Sequence, residues 1–434
     1  MDDARIGLAQ KLLTQLAQGA YTEAVQQFDT TMQGVLPPET LQATWQKLEE
    51  QMGGFQNQEA PRTTQVQDHQ VVLINCVFAR GNLEFMVVFN EANEISGLSF
   101  NPLANQAPAE ANADLPAYIQ PEAFREIEVL VGQGEWSLPG TLTLPLGEGP
   151  FPALVLVQGS GPQDRDETLG PNKPLRDLAW GLASRGIAVL RYDKRTLVYK
   201  EKVSQQFLET ITVQEETIDD TLAALRLLRE SPQIDSQRLF VLGHSLGGYL
   251  LPRITAADRE IAGLIVLAGS TRPLEDIILD QVTYLLAAQE HVAPEQQKSL
   301  ETLTQQVRRV KAPDLTPDTP ASELPLNVPA AYWLDLRTYD PVALARTLPQ
   351  PMLILQAECD YQVTMEDFRG WQDGLGTRTD VAFKSYPGLY HLFLPTPDGK
   401  MATPVVYALS GHVQSDVIDD IAQWIMDITA HADA

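Results

Sequence analysis

The sequence predicts an α/β fold, in which a doubly wound and mostly parallel sheet carries a long helical insertion and is preceded by a small α+β domain. Three observations lead to it. Short apolar runs alternate with amphipathic helices after residue 122, the pattern of a parallel sheet covered on both faces. Helices followed by antiparallel strands occupy the first 105 residues. A Gly-x-Ser-x-Gly motif lies at a strand-to-helix turn, Gly243-His244-Ser245-Leu246-Gly247.

The length and charge of the chain limit its organisation and its partners. With 434 residues it exceeds what one hydrophobic core usually supports, so we expect more than one domain. The net charge is −26, from 31 basic and 57 acidic residues, which disfavours nucleic acids and anionic membrane surfaces as partners. An acidic soluble surface is the simpler interpretation. A homo-oligomer is compatible with the sequence, which does not indicate the oligomeric state.

Targeting and redox signals are weak. No apolar run approaches the ~18 residues of a membrane span. Met1 to Arg5 lack the charged and then apolar start of a signal peptide, so we expect a cytoplasmic protein, or an exported one whose signal has been removed. Cys76 and Cys359 fall in different predicted domains, which excludes a disulfide framework and indicates buried thiols.

The first predicted domain covers residues 1–105. Helical periodicity extends over residues 4–52, and the pattern changes to strands after Gly53-Gly54. We expect four strands, Thr63–Gln67, Val71–Ala79, Leu83–Asn90 and Ile95–Phe100. This order resembles the cone-shaped nuclear-transport-factor-2-like domains that precede some bacterial hydrolases. No catalytic constellation appears here, and we interpret its single histidine, His69, as a surface or strand residue.

Residues 106–121 are rich in Pro, Ala, Asn and acidic residues and are interpreted as a linker. The second predicted domain covers residues 122–434. Its expected strands are Arg125–Val131, Leu138–Leu144, Ala153–Val157, Ile187–Arg191, Leu239–Leu242, Gly263–Ala268, Met352–Gln356 and Val381–Tyr386. Its expected helices are Pro174–Ser184, Thr212–Glu230 and Val413–Ile428.

A predominantly helical stretch, about residues 270–347, separates two of these strands. It is too long for a simple connection. We interpret it as a lid over the carboxyl edge of the sheet, where parallel-sheet proteins keep their sites. Its apolar positions, which could then line a substrate pocket, are Ile277, Ile278, Val282, Leu285 and Leu286. The alternative is a helical decoration with a structural role only.

The Gly-x-Ser-x-Gly motif has the context of a nucleophile elbow, because an apolar strand precedes it and a helical stretch follows. In such a turn the serine backbone is strained, and a side chain two residues before or after it would collide with the neighbouring element. Gly243, Gly247 and Gly248 provide the space. Ser245 is therefore the candidate nucleophile.

A serine hydroxyl needs a general base within hydrogen-bond reach and a third group to orient that base. Asp360 follows the expected strand Met352–Gln356, and His391 follows Val381–Tyr386. The order Ser245, Asp360, His391 is the order in which a hydrolase elbow of this kind is completed. We therefore predict these three residues as the catalytic triad.

The oxyanion of the tetrahedral intermediate needs two oriented donors. The residue after the nucleophile supplies one, the backbone amide of Leu246. The second is expected after the strand Ala153–Val157, in the glycine-rich segment Gln158-Gly159-Ser160-Gly161-Pro162. We assign the Ser160 amide, with Gly159 as the alternative. This segment could instead bind phosphate, but Gly-x-Gly-x-x-Gly is not completed and no Lys-Ser/Thr follows.

Other candidates for these roles are weaker. Glu358 is the rival of Asp360. His244 adjoins the nucleophile and is interpreted as a packing or substrate-pocket residue. The remaining histidines lie in the insertion or beside the last helix: His291, His412 and His431. No His, Cys and carboxylate spacing typical of zinc occurs, so we expect neither a metal nor another cofactor.

On these motifs, residues 124–430 resemble a bacterial carboxylesterase of the α/β-hydrolase superfamily. The resemblance also rests on Arg191-Tyr192-Asp193-Lys194-Arg195 and Leu389-Tyr390-His391. It implies Ser245 as nucleophile, His391 as general base and Asp360 as its orienting acid. Related hydrolases commonly have histidine where this chain has Gln158, a departure that bears on the hydrogen bonding of the loop and on substrate preference.

The charged run Arg191 to Arg195 ends a strand on the same edge of the sheet. It could bind a carboxylate of the substrate, but a structural cluster of ion pairs is the stronger interpretation.

The function that the resemblance implies is a serine carboxylesterase that hydrolyses small to medium acyl esters through an acyl-enzyme, with a small-molecule ester as its partner. A serine peptidase or an acyltransferase of the same fold is an alternative. The first 120 residues show no blade-like repeat of the kind that large oligopeptidases carry, which disfavours the peptidase. A catalytically silent ligand-binding module is the alternative of a different class, and it would not need all three triad residues.

Overall fold

A computed structural model of the protein describes residues 2–66, 69–90, 92–102, 115–200, 210–289 and 292–432. The described chain divides into two compact units. The first contains the described residues before 103 together with Thr168–Asn172 and Thr403–Gly411, and the second contains the other described residues. Much of the predicted linker, residues 106–114, lies outside the described residues, as does His291.

The first unit has helices followed by an antiparallel sheet, as predicted. Its helices are α1 (Asp2–Ala17), α2 (Tyr21–Val25), α3 (Thr30–Val35) and α4 (Pro38–Met52). Its strands are β1 (Phe55–Gln58), β2 (Arg62–Val66), β3 (His69–Phe78), β4 (Gly81–Phe89) and β5 (Ile95–Pro102). β3 pairs with β1, β2 and β4, and β5 pairs with β4. The strand β1 was not predicted, because it is short and contains a single apolar residue.

One face of this sheet is buried against the helices. Alternate residues of β4 are buried, the period of a strand with one face in the core. Trp45 of α4 packs against Phe78 and Phe100 at ring-centroid distances of 5.9 and 5.7 Å. The segment Thr403–Gly411 belongs to the same core, where Ala408 is fully buried. No local pattern in the sequence indicates this long-range packing.

The second unit is built on an eight-stranded sheet of the order β13-β12-β11-β10-β8-β9-β7-β6. The strands are β6 (Phe124–Val131), β7 (Leu138–Pro145), β8 (Phe151–Val157), β9 (Ala188–Tyr192), β10 (Ile234–His244), β11 (Gly263–Leu267), β12 (Met352–Ala357) and β13 (Val381–Tyr386). The six strands from β13 to β9 run parallel. At one end of the sheet, β7 pairs antiparallel with β9, and β6 pairs antiparallel with β7. The predicted doubly wound, mostly parallel sheet is confirmed.

Helices surround this sheet. They are α5 (Pro174–Ala183), α6 (Arg195–Val198), α7 (Asp219–Arg229), α8 (Leu246–Ala257), α9 (Leu274–Ala287), α10 (Pro294–Lys311), α11 (Ala330–Leu336), α12 (Pro341–Ala345), α13 (Met365–Leu375) and α14 (Ser415–Ala432). A π-helical turn, Gln214–Ile218, precedes α7 inside the stretch predicted as one helix. The strands β11 and β12 are wholly buried, as is β8 after its first two residues, which explains their unbroken apolar runs. None of the described helices has the length and apolarity to cross a membrane.

The helical insertion comprises α9 to α12. It has a small core of its own, formed by Val310, Leu315, Leu324, Ala330 and Trp333. Its start is fixed to α13, because Asp367 is fully buried and accepts hydrogen bonds from the Thr271 amide, at 2.9 Å, and from Arg272 Nη2, at 3.0 Å. The insertion is therefore an ordered part of the second unit.

Parallel strands bring their carboxyl ends to one edge of the sheet. β8, β10, β12 and β13 lead at that edge into the segments that carry Gly159, Ser245, Asp360 and His391. The sheet topology thus gathers residues that are far apart in the sequence.

The turn after β10 depends on the absence of side chains at its glycines. A Cβ on Gly243 would lie 2.3 Å from the Gly247 carbonyl carbon, a backbone atom that cannot move aside. Gly243→Ala should therefore lower the free energy of unfolding by about 3 kcal/mol. Gly7→Ala is the control, because that helical glycine has open space around it and alanine should stabilise by ~0.5–1 kcal/mol. Thermal and urea unfolding measure both; an unaffected Gly243→Ala protein would contradict the packing of the turn.

Candidate active site

Ser245 lies in a strained turn between β10 and α8. Its backbone has φ +53° and ψ −116°, a region that a residue with a Cβ rarely adopts. The turn is held from both sides: the Ser245 amide donates to the Leu267 carbonyl at 2.9 Å, and a Cβ on Gly247 would lie 2.5 Å from the Val157 carbonyl oxygen. This is the geometry of a nucleophile elbow, which presents the serine side chain at the top of the sheet.

His391 and Asp360 form a buried hydrogen-bonded pair. His391 Nδ1 lies 2.6 Å from Asp360 Oδ2, and the two residues are 4% and 1% exposed. Because the carboxylate can only accept, it sets the tautomer in which Nδ1 carries the proton and Nε2 is left free as a base.

Asp360 is itself held by its own loop. Its Oδ1 accepts from the amides of Gln362, at 2.7 Å, and Val363, at 3.1 Å, while Oδ2 faces the histidine. The rival carboxylate, Glu358, accepts instead from Ser385 Oγ at 2.7 Å. The structure therefore brings Asp360, and not Glu358, to His391.

His244 connects the nucleophile segment to the loop of His391. Its Nε2 donates to the His391 carbonyl oxygen at 2.9 Å, and the two imidazole rings lie with centroids 4.6 Å apart. Since His244 directly precedes Ser245, this bond holds the backbone of the histidine loop beside the elbow. Ser245 Oγ and His391 form no hydrogen bond among the described contacts. A contact between a nucleophile and its base often tightens only when substrate binds.

The glycine-rich loop after β8 approaches Ser245 closely. A Cβ on Gly159 would lie 3.2 Å from Ser245 Cβ and 2.9 Å from Glu167 Oε1, so only glycine fits without displacement. The Gly159 amide donates to Glu167 Oε1 at 2.7 Å, so its hydrogen is already used in a bond within the protein. The next amide is that of Ser160. Leu246 begins α8, and the first amides of a helix have no acceptor inside it.

A buried ion pair lies behind these groups. His244 Nδ1 faces Glu167 Oε2 at 2.8 Å, so both ring nitrogens of His244 face acceptors and both must carry protons. Burial opposes the charge of His244, but the charge and hydrogen bond of Glu167 outweigh burial and raise its pKa. Burial likewise opposes ionisation of Glu167, but His244 and the Gly159 amide outweigh it and lower the pKa of this carboxyl.

The charged run Arg191 to Arg195, at the end of β9, is occupied by structural ion pairs. Arg191 is buried and paired with Glu126 and Asp166, and Arg165 binds Asp193. These guanidinium groups therefore have carboxylate partners within the protein, which agrees with the structural interpretation of the run. Gln158, the residue that departs from related hydrolases, is buried and donates to the Tyr192 carbonyl, so its amide ties the glycine-rich loop to the end of β9.

The remaining histidines of the chain have no described contact with the residues of the candidate site. His412 binds Asp177 at 3.1 Å, away from these contacts, and the side chains of His69 and His431 lie outside the described residues, as does all of His291. Cys76 and Cys359 are buried free thiols, as predicted. In the described part of the chain, no three His, Cys, Asp or Glu side chains are grouped so that they could hold a metal ion.

Sequence reasoning missed the residues that support the site. Glu167 carries no motif signal, and its role depends on a contact with His244, 77 residues further along the chain. Lys194 was seen only as part of a charged run, yet its Nζ donates to the Gly159 carbonyl at 2.9 Å. A buried lysine or glutamate near a predicted elbow can be recognised only once burial is known.

Comparison with known proteins shows the family to which this chain belongs. Residues 173–398, a span that contains Ser245, Asp360 and His391, match the family described as serine aminopeptidase, S33. Esterase EstD of Thermotoga maritima is 37% identical over 407 residues, which are 94% of this chain and 92% of that protein. The chain belongs to this family of α/β-hydrolases. It is a serine hydrolase.

Residues 9–98 of this hydrolase match a second family, described as a protein of unknown function (DUF3887). Among solved structures, Est1E from Butyrivibrio proteoclasticus is similar over 70% of this chain and 99% of its own, with 13% identity and a TM-score of 0.45. A fungal esterase from Rhizomucor miehei is similar over 73% of this chain and 87% of its own, with 20% identity and a TM-score of 0.44.

Removing the charge of Glu167 should destabilise the hydrolase in a pH-dependent way. The pKa of His244 is raised in the folded protein. The charge of His244 therefore contributes its full stabilisation below about pH 6.5, and this stabilisation is lost as the pH rises through the folded pKa. The pKa of Glu167 is lowered in the folded protein. The charge of Glu167 therefore stabilises the fold above about pH 4.5, and this stabilisation is lost as the pH falls through the folded pKa. Glu167→Gln should therefore cost on the order of 3 kcal/mol near pH 6, because it breaks a buried ion pair.

The difference in unfolding free energy between the native protein and Glu167→Gln should narrow as the pH rises above about 6.5. Urea unfolding between pH 5 and 9 measures it. Asp419→Asn is the control: this carboxylate pairs with Arg185 on the surface, and its loss should cost less than about 1 kcal/mol. A difference that stays constant over the whole pH range would contradict the charged state of His244.

Proposed function

We propose that this hydrolase is a serine carboxylesterase that cleaves small to medium acyl esters through an acyl-enzyme, with Ser245 as nucleophile, His391 as general base and Asp360 as the acid that orients it. The observation that carries the proposal is the buried 2.6 Å bond between His391 and Asp360 at the sheet edge where the Ser245 elbow ends. The relative EstD is named an esterase, which supports the same reaction class.

In the acylation step, Ser245 Oγ attacks the ester carbonyl carbon while His391 Nε2 takes its proton. The carbonyl π electrons move to the oxygen, which becomes an oxyanion. His391, now an imidazolium paired with Asp360, returns the proton to the leaving alkoxide, the C–O bond of the ester breaks and an alcohol departs. Water then attacks the acyl-enzyme by the same route and releases the carboxylic acid.

The oxyanion is bound by the amides of Leu246 and Ser160 in this proposal. Leu246 stands at the start of the 12-residue helix α8, whose dipole favours negative charge at that end. Ser160 is preferred over Gly159 because the Gly159 amide already donates to Glu167. Preorganised donors of this kind usually supply the largest single share of acyl-transfer catalysis.

The rival functions fit less well. A peptidase or acyltransferase would use the same three side chains, and the family description itself mentions an aminopeptidase; the name of the full-length relative favours the esterase. A silent ligand-binding module would not need a buried acid held by two backbone amides against a histidine.

The insertion acts in this proposal as a lid that limits the acyl chain. Its first helix, α9, contacts the loop of Asp360: Gln281 Nε2 donates to the Gln362 carbonyl at 3.1 Å, and Tyr284 stacks on Tyr361 with centroids 5.3 Å apart. These contacts place α9 against the acid loop, which supports a covering role.

A different face of α9 carries the apolar residues of interest. Val282 and Leu286 share a face with Glu275 by the helical period. Glu275 is buried. The pKa of Tyr249 in α8 is raised, first by the burial of Tyr249 and second by the charge of Glu275. In this proposal that face covers the helix that begins after Ser245, with Val282 and Leu286 half-buried on it.

The triad roles can be tested by three substitutions. Ser245→Ala should abolish p-nitrophenyl ester turnover and labelling by a fluorophosphonate probe in a folded protein. Asp360→Asn should lower kcat by about 10⁴, because the histidine loses the acceptor that sets its tautomer. Glu358→Gln is the matched control, since this neighbouring carboxylate binds Ser385, and its kcat should stay within a few-fold. If Ser245→Ala retains turnover, or if Glu358→Gln is the damaging change, the assignment is wrong.

Acyl-chain selectivity tests the lid. Val282→Phe and Leu286→Phe should lower kcat/KM for octanoate esters more than for acetate, because each methylene lost from an apolar pocket is worth about 1–3 kcal/mol of discrimination. The matched control is Thr283→Phe, on the exposed side of the same helix. The measurement is kcat/KM for acetate, butyrate and octanoate esters. Ratios that stay equal in all folded variants would show that the insertion does not select the acyl chain.

A further inference from the structure

A buried lysine with no part in the proposed triad contacts the glycine-rich loop. Lys194 is 2% exposed, and its Nζ donates to the Gly159 carbonyl at 2.9 Å and to Glu216 Oε1 at 2.8 Å. The other carboxylate oxygen, Glu216 Oε2, accepts from the Tyr332 hydroxyl at 2.9 Å. Burying an ammonium group is costly unless it is paired and hydrogen-bonded, and this one is both.

The contact acts on one particular peptide group. The Gly159 carbonyl and the Ser160 N–H belong to the same planar unit, and in a trans peptide they point in opposite directions. When Lys194 holds the carbonyl oxygen, it also determines where the Ser160 N–H points. That N–H is the second oxyanion donor in the proposed function.

The preceding peptide is held as well. The Gly159 N–H donates to Glu167, so the two peptide groups on either side of the Gly159 Cα are each anchored by a buried charged side chain. A glycine has the widest range of backbone conformations, and an unanchored glycine loop would sample many orientations of the donor. An ammonium group on the carbonyl also polarises the peptide and strengthens its N–H as a donor.

We propose that Lys194 is a positioning residue for the oxyanion donor, with Glu216 balancing its charge and Tyr332 fixing Glu216 from the helical insertion. This inference rests on the proposed function, because it concerns the Ser160 amide in that reaction. Tyr332 lies on α11, so the insertion contributes to the orientation of the donor through a chain of three side chains.

The inference predicts a specific kinetic effect. The oxyanion exists only in the tetrahedral intermediate and the adjacent transition states, so misorienting its donor should lower kcat and leave KM nearly unchanged. Removing a whole donor costs about 10²–10³ in kcat. A donor that is present but poorly directed should cost on the order of 10 to 100-fold.

The test uses the full chain and a double variant, Lys194→Met with Glu216→Gln, which removes both charges and leaves neither unpaired. The measurements are kcat and KM for p-nitrophenyl acetate, the inhibition constant of phenylboronic acid and the melting temperature. The boronic acid adds Ser245 Oγ to boron and presents a tetrahedral oxygen to the donors. We expect kcat to fall and the inhibition constant to rise by the same factor, with KM within about twofold.

A neighbouring ion pair provides the matched control. Arg195 pairs with Asp220 and joins the same two segments of the chain, and none of the hydrogen bonds described for this pair reaches the glycine-rich loop. Arg195→Met with Asp220→Asn should leave both kcat and the boronate affinity close to native, whatever it does to the melting temperature. Tyr332→Phe removes only the hydroxyl from the insertion and should give a smaller loss in the same two quantities, which keeps the test valid if the double variant does not fold.

The outcomes separate the two proposals. Native kcat and boronate affinity in the Lys194 and Tyr332 variants, with Ser245 still labelled by a fluorophosphonate, would overturn the positioning role alone. Losses in kcat, KM and melting temperature that the Arg195 control reproduces would also overturn it, because they would reflect stability. If the native protein is neither labelled at Ser245 nor active on esters, the proposed function fails, and this inference with it.

Discussion

Ser245 has a backbone conformation that is unfavourable in free energy for any residue with a side chain. Contacts of the surrounding backbone must compensate for this strain. The compensation comes from close contacts that only glycine permits: Gly243 lies against Gly247, and Gly247 against the carbonyl of Val157 at the end of β8. These contacts also set how near the glycine-rich loop comes to the serine. The spacing of the proposed nucleophile and oxyanion donors thus depends on backbone packing between two adjacent strands, which lie at the centre of the sheet.

Two buried charged pairs then act on that packed backbone. His244 and Glu167 connect the His391 loop to the Gly159 amide, and Lys194 and Glu216 hold the carbonyl on the other side of Gly159. Buried ion pairs contribute little net stability, because desolvation offsets much of the attraction. In this protein the two pairs instead orient particular backbone groups. Each one ends on a backbone group of a loop at the candidate site, so the loops that carry the proposed base and oxyanion donor are oriented by side chains outside the proposed triad.

The insertion is joined to the same arrangement at two points. Through Gln281 and Tyr284 it contacts the loop of Asp360, and through Tyr332 it reaches Glu216. In the proposed function, an element that contacts both the Asp360 loop and the side chains behind the Ser160 amide is suited to couple substrate enclosure to the geometry of the proposed catalytic groups, because a shift of its helices would change both contacts.

The sequence by itself was enough to predict the parallel sheet, the elbow and the order Ser245, Asp360, His391, because each of these is a local pattern: an apolar run, a glycine spacing, a polar residue just past a strand. It also predicted a helical stretch over residues 4–52 and the antiparallel strands of the first unit, apart from the short polar strand β1. Which carboxylate meets His391 was decided by the turn in which Asp360 binds two amides and Glu358 points to Ser385. The partners Glu167, Lys194 and Glu216, and the place of Thr403–Gly411 in the first unit, depend on contacts between distant residues. Only the tertiary structure decides these, because burial gives an isolated charge in the sequence a partner and a direction.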